Sequence, residues 1–258
     1  MEIFYLIVSF GACIIGAICG IGGGIIMKPV LDMTGLGSVA VISFLSSCTV
    51  MSMSLYNVAR SLKDGGSIDT KNGTPLAIGA AVGGIAGNRL FILIKLMMSN
   101  DGLVKAVQAL CLFVLTFGTL IYTLKKSRII PHTVEGAPMC AFIGFLLGCF
   151  SSFLGIGGGP FNLVVLHFFF AMETKKAAAN SLYIILFSQI ANILLSIITG
   201  SVPEFEVTAL VLMVLGGISG AQVGRTISHK LDNAMVDKLF VALMVVIMLI
   251  CVLNMVRA

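Results

Sequence analysis

Apolar runs, several of them long enough to cross a bilayer at about 20 residues, fill the chain and are broken only by short polar or glycine-rich stretches. Residues 3–20 are apolar and stop at Gly20-Ile21-Gly22-Gly23-Gly24. Residues 25–34 form a piece too short to span alone, closed by a turn at Gly35-Leu36-Gly37-Ser38. Full spans are expected over 38–60, 74–97 and 102–124. A polar loop running from Ser61 through Gly65 and Gly66 to Gly73 separates the first two, and Ser99-Asn100-Asp101-Gly102 the next two. After a basic connector, the pattern starts again: 138–154 apolar, a glycine break, a short piece over 160–172, then spans at 176–199, 205–226 and 234–256.

The second break, Gly155-Ile156-Gly157-Gly158-Gly159, repeats the first letter for letter 135 positions later. Glycine inside a helix costs about 1 kcal/mol relative to alanine, so two matched clusters point to a need for the backbone itself. Lys176-Ala177-Ala178-Ala179-Asn180-Ser181 falls where Ser38–Ser43 falls, and Gly216–Gly220 answers Gly83–Gly87. The reading is an internal duplication: residues 1–124 a first membrane repeat, 125–136 a cytoplasmic connector, 137–258 a second repeat. Small residues four apart, such as Gly83 and Gly87, suit close helix crossing in lipid.

Composition agrees. Of 258 residues, 58% are hydrophobic and 10% charged, with a mean hydropathy of +1.09, against about a quarter charged in soluble domains. The class is an all-α polytopic membrane protein. Met1-Glu2-Ile3-Phe4 lacks the basic region of a cleaved signal and reads as the start of the first segment. The seven cysteines sit in apolar stretches without a C-x-x-C, which argues against a disulfide framework, a metal site or a cofactor site. The net charge of +5 fits basic cytoplasmic loops and gives no reason to invoke nucleic acid.

Those basic residues set the orientation. Arg60/Lys63/Lys71, Lys125/Lys126/Arg128, Lys175/Lys176 and Arg225/Lys230/Lys238 mark cytoplasmic loops, whereas 33–37 and 200–206 carry no Lys or Arg. All of these lie inside only if the two short pieces of each half enter and leave by the same side. Each half is then a broken, re-entrant helix pair at a glycine turn plus three transmembrane helices. The second half is inverted relative to the first, as in many secondary transporters, and both termini face outside.

A helix that begins within the membrane presents unpaired N–H groups and the positive end of its dipole, a ready anion site. Gly22, Gly23, Gly24 and Gly157, Gly158, Gly159 are therefore candidate substrate-binding residues, with Pro160 suited to start its helix. Intramembrane charge is costly and usually functional. Lys28 and Asp32, four apart on the first short helix, can pair with each other; alternatively Lys28 attracts an anion and Asp32 exchanges a proton. His167 occupies the matching place in the second half and is the other proton-coupling candidate. Ser43, Ser47, Asn162, Asn180, Ser181, Gln189 and Asn192 are the polar cavity candidates, with interhelical hydrogen bonding as their plain alternative. Cys19, beside the first turn, has no His or carboxylate adjoining it in sequence, so an enzyme is not expected.

The doubled Gly-Ile-Gly-Gly-Gly motif, Pro29, Pro160 and the Ala-x-x-Ser-type helices that follow resemble the TauE/SafE family of sulfite and organosulfonate permeases over essentially the whole chain. The resemblance maps the family's glycine turns onto Gly22–Gly24 and Gly157–Gly159. Val164 and Val165 stand where the family often has a second proline, and Lys28 is not carried over as a family hallmark. It implies a secondary transporter in the inner (plasma) membrane for sulfite, sulfoacetate or other sulfonates. Such a carrier works by alternating access coupled to protons, with the anion held between two helix N-termini. A passive anion channel, or a carrier of another small carboxylate or anion, are the alternatives. The small anion and the bilayer are the partners implied, with room for a homodimer.

Overall fold

The computed structural model describes residues 2–35, 37–64, 68–97, 101–156 and 158–257. Among them, ten α-helices carry the chain: α1 Glu2–Cys19, α2 Gly24–Thr34, α3 Val39–Lys63, α4 Thr70–Met97, α5 Asp101–Lys125, α6 Ala137–Leu154, α7 Pro160–Phe170, α8 Thr174–Ile198, α9 Val207–Lys230 and α10 Asn233–Arg257. No end differs from the sequence expectation by more than four residues. The largest shifts have local causes. Asp69 Oδ1 accepts the N–H groups of Lys71 and Asn72, so α4 starts earlier than its apolar run. The expected turn residue Leu36, the loop residues Gly65, Gly66, Ser99 and Asn100, and the site candidate Gly157 lie outside the described residues.

Among the described residues seven helices are long and apolar enough to cross a membrane: α3, α4, α5, α6, α8, α9 and α10. α2 and α7 have 11 residues each, which reach only about 16 Å at 1.5 Å per residue. Two glycine seams fix how the hairpins run. Side chains on Gly79, Gly83 and Gly87 of α4 would collide with the carbonyls of Ala141, Phe145 and Cys149 on α6. Likewise Gly216, Gly220 and Gly224 of α9 lie against the backbone of Leu6, Phe10 and Ile14 on α1. Residue numbers rise together on both sides of each seam, so α1 runs parallel to α9 and α6 parallel to α4. By partner, Gly216 therefore answers Gly79, one turn from the Gly83 match that the sequence alone gives.

The second short helix doubles back. The N–H groups of His132 and Val134, in the segment leading into α6, donate to the carbonyls of Phe168 (2.7 Å) and Phe169 (2.8 Å) at the end of α7. An isolated bridge between Thr133 and Phe170 joins the same segments. Although α6 is long enough to cross, the α6–α7 pair thus enters and leaves at one end. At its tip Gly155, in the left-handed region (φ 64°), closes α6 with bonds from Gly155 and Ile156 N–H to Ser152 and Ser151 carbonyls, a glycine C-cap. Gly20 (φ 71°) closes α1 the same way, with Gly20 and Ile21 N–H both donating to Gly16 O.

Candidate functional site

The first turns of α3 and the last turns of α8 line one cavity, and the opposite ends of the same two helices line another. The first, here the serine cavity, has a volume of 320 Å³, at the lower end of the range of about 300–1,000 Å³ for small-molecule sites. Ser43 and Ser47 from α3, Asn192 and Ser196 from α8, Asn88 from α4 and Ser152 from α6 supply polar groups, Lys95 stands on its wall, and Gly155 forms part of its floor. Ser43 Oγ, Ser152 Oγ and Asn192 Oδ1 are buried and lack a protein partner. Buried polar atoms ordinarily have one, so these three groups have hydrogen-bonding capacity to spare.

The second, the arginine cavity, holds 190 Å³ between Asn57, Ser61, Lys175, Arg225, His229 and the carboxylate of Asp64. Arg225 donates from Nη2 to Asp64 Oδ2 at 2.7 Å and from Nη1 to the Asn57 carbonyl at 3.4 Å. That first hydrogen bond holds the Asp64 carboxyl below the usual carboxylate range, reinforced by the charges of Arg225, Arg60 and His229.

The two linings correspond position by position. Ser43, Ser47 and Ala40 in the serine cavity have Ala178, Leu182 and Lys175 in the arginine cavity, each 135 residues on. Conversely Ala17, Asn57 and Ser61 in the arginine cavity lead by the same step to Ser152, Asn192 and Ser196. Asn88 of α4 has Arg225 of α9 as its counterpart. Gly155 lines the serine cavity, and Gly20 packs on Ala178, a wall residue of the arginine cavity. A Cβ on Gly155 would sit 2.6 Å from Ser43 Oγ, and one on Gly20 would strike the backbone of Ala178.

The turns themselves meet in the middle. Gly24 packs against the carbonyl of Ile156, and a Cβ on Gly158 would lie 3.1 Å from the carbonyl of Ile21. Gly22, Gly23, Gly24, Gly158 and Gly159 are all buried and line neither cavity. Gly23 and Gly159 are the residues that precede the first turns of α2 and α7. The candidate anion-binding helix ends therefore stand between the cavities, not on their walls, in this conformation.

Lys28 and Asp32 find each other. Lys28 Nζ donates to Asp32 Oδ2 at 3.0 Å and to Gln108 Oε1 of α5 at 2.9 Å, while Gln108 Nε2 donates to the Phe153 carbonyl at 2.7 Å. Asp32 Oδ1 is left over in this group. The Lys28 stem runs behind Gly155, so the pair braces the floor of the serine cavity. His167 takes a different neighbour, Tyr122 of α5, with Oη and Nδ1 2.8 Å apart. Beside it Lys126 Nζ meets Asp237 at 3.3 Å and Thr174 Oγ1 at 2.8 Å.

Of the other candidates, Ser43, Ser47 and Asn192 share the serine cavity. Asn162 Nδ2 donates to Ser181 Oγ (3.3 Å). Asn180 Oδ1 accepts the Asp69 N–H (2.9 Å), and its amide donates to Lys176 O, which ties α8 to the start of α4. Gln189, fully buried one turn below Asn192, has neither amide atom partnered within the protein. Its counterpart Ser54 is equally buried and unpartnered.

Sequence reasoning missed Asn88, Lys95 and Ser152 as cavity residues, Gln108 and Tyr122 as partners, and the Arg225–Asp64 pair. The spacing of Asn88, Phe91, Ile92 and Lys95 is that of one helix face and carried a usable signal. Ser152 carried none, since its hydroxyl is one of several on an apolar helix.

Two cavities at opposite ends of α3 and α8, with the glycine turns between them, are an architecture suited to moving a solute. The family model for the sulfite exporter TauE/SafE matches residues 5–250. The chain belongs to the TauE/SafE family. A relative from Bacillus subtilis (strain 168), named probable membrane transporter protein YunE, is 25% identical over 261 residues, 89% of this chain and 90% of its own length. No solved structure matches. As a TauE/SafE protein the chain is a membrane transporter, not an enzyme, and a multi-pass protein of the plasma membrane.

Proposed function

We propose that the chain is a secondary transporter of small sulfur-containing anions, among them sulfite, sulfoacetate and other sulfonates, and that its two halves form an inverted pair working by alternating access. One observation carries the reading: the serine and arginine cavities occupy corresponding positions at opposite ends of α3 and α8, with Gly155 lining the first and Gly20 packed on Ala178 of the second. Rocking one half against the other would open one cavity as it seals the other. A channel would need a continuous path, whereas the contacts of Gly20 with Ala178 and of Gly155 with Ser43 separate the two spaces.

In this reading the anion enters the serine cavity, where donors from Ser43, Ser47, Ser152 and Asn88 replace part of its hydration. It gains the helix N-termini at Gly22–Gly24 and Gly157–Gly159 when the turns part. Proton coupling is assigned to Asp32 and His167, the two titratable side chains at matching places on α2 and α7. Protonation of Asp32 would weaken its pair with Lys28, and a proton gained at His167 Nδ1 would remove the acceptor that faces Tyr122 Oη.

Counterflow into proteoliposomes tests the reading. Preloaded sulfite or sulfoacetate should drive uptake of the labelled anion, and a protonophore should collapse accumulation against a gradient. Flux that ignores the trans-side anion and far exceeds a carrier's turnover would establish a channel instead.

A further inference from the structure

We propose that the arginine cavity is a second anion-binding site, in which Arg225 exchanges the carboxylate of Asp64 for the sulfonate, sulfite or carboxylate group of the transported solute. The proposal rests on the transporter reading above and adds a site that reading does not use. Three features meet here. Arg225 is the counterpart of Asn88 in the serine cavity, so the corresponding position carries a planar cation at this end. Its guanidinium is held by one acidic side chain and one long contact to a backbone carbonyl, leaving its fork incompletely used. The carboxylate that holds it belongs to a half-exposed residue at the end of α3, with a side chain 53% exposed against 19% for Arg225.

The remaining lining favours an anion over a cation. Lys175 Nζ donates to the Leu231 carbonyl at 2.8 Å, and among the described residues no carboxylate pairs with it. Ser61, Ser228 and Asn57 bring neutral polar groups, and among the described residues Asp64 is the only acid on the wall. A guanidinium matches two oxygens of a carboxylate or sulfonate equally well. Asp64 therefore serves as an internal stand-in for the solute. When a free anion takes its place, α3 is released from α9 at this end, so binding and opening become one event. In the serine cavity the position that Arg225 holds here is taken by the uncharged Asn88.

The test uses the full-length protein, purified, in a background without the seven native cysteines, with one reporter thiol in each cavity: Ser61→Cys for the arginine cavity and Ser47→Cys for the serine cavity. Sulfonatoethyl methanethiosulfonate and its trimethylammonium analogue label the thiols, with and without sulfoacetate. The sulfonate reagent should outpace the cationic one in the Ser61→Cys protein, and sulfoacetate should protect that thiol. Arg225→Gln should raise the sulfoacetate concentration needed for protection about tenfold or more, as expected for loss of a charge-assisted hydrogen bond. Asp64→Asn, at a side chain 53% exposed, should lower it by removing the competitor. Protection of the Ser47→Cys thiol with none of the Ser61→Cys thiol, or an Asp64→Asn variant that binds more weakly, overturns the second site while leaving the transporter reading intact. Protection at neither thiol overturns both.

Discussion

The serine and arginine cavities are built on the same plan from corresponding positions, yet their chemistry differs. Ser43, Ser47 and Ser152 offer hydroxyls at one end where Ala178, Leu182 and Ala17 are apolar at the other. The arginine cavity carries the charged groups Arg225, Lys175 and Asp64, against Lys95 in the serine cavity. Backbone and packing are thus duplicated while ligand-facing side chains have diverged. The proposed inverted pair needs matching hinges, but nothing requires the two faces of a carrier to bind a solute equally. The braces behind the floors differ as well: a buried ion pair, Lys28–Asp32, stands behind Gly155, whereas the α7 hairpin rests on His167 and Tyr122.

The braces give the largest expected effect. Lys28→Met leaves Asp32 charged and unpaired in a side-chain environment only 9% exposed, and removing one partner of a buried pair costs about 3–5 kcal/mol. His167→Phe removes one hydrogen bond to Tyr122, worth about 1 kcal/mol. Thermal unfolding in detergent should separate the two clearly, and equal losses would mean that the hairpins are braced alike.

The floors come next. Gly20→Ala forces a left-handed residue, at a cost of about 1–2 kcal/mol, and adds a collision with the Ala178 main chain that cannot rotate away. Gly155→Ala carries the same backbone cost but meets Ser43 Oγ, which can turn aside. Folded yield and melting temperature should fall further for Gly20→Ala. The reverse order would show that the serine side, not the arginine side, is the tighter seal.

How much of this was legible follows from where each signal lives. Helix ends and both glycine turns are written in local hydropathy and in residue types with few other uses, so Gly20 and Gly155 stood out at once. The polar candidates were harder. Ser47 and Asn192 share a cavity, but Asn180, with equal claim from sequence, is spent on the Asp69 N–H, and only the packing of α4 on α8 decides between them. Asn88 and Ser152 reach the cavity because the glycine seam brings α4 and α6 together, a contact between halves that no single run of residues announces.

The wall residues offer a finer test. Ser47→Leu gives the serine cavity the residue its counterpart already has at Leu182, removing a donor and filling space. Solute affinity should drop about tenfold, the loss of one hydrogen bond to a charged ligand, as read by the sulfoacetate-induced rise in melting temperature. Leu182→Ser should change it little.

The smallest effect is a pH dependence confined to one end. The Arg225 hydrogen bond lowers the folded pKa of Asp64, so its contribution is complete above the unfolded carboxyl value of about 3.9. It fades as pH falls through the lower folded value. Asp64→Asn should lower stability slightly near neutrality, where the pair contributes fully, and flatten that acid limb of the stability profile. An unchanged limb would assign the acid sensitivity to other carboxylates.

The seam between α1 and α9 also bears on how the chain is made. Residues 2–19 leave the ribosome long before the helix that covers them, residues 207–230. Until then α1 sits in the bilayer with the face meant for Gly216, Gly220 and Gly224 turned to lipid or to whatever guards nascent membrane proteins. Such long-range pairing slows assembly and exposes intermediates. A chain cut between α1 and α9 therefore strands α1, and quality control would detect the loss there, on a face far upstream of the break.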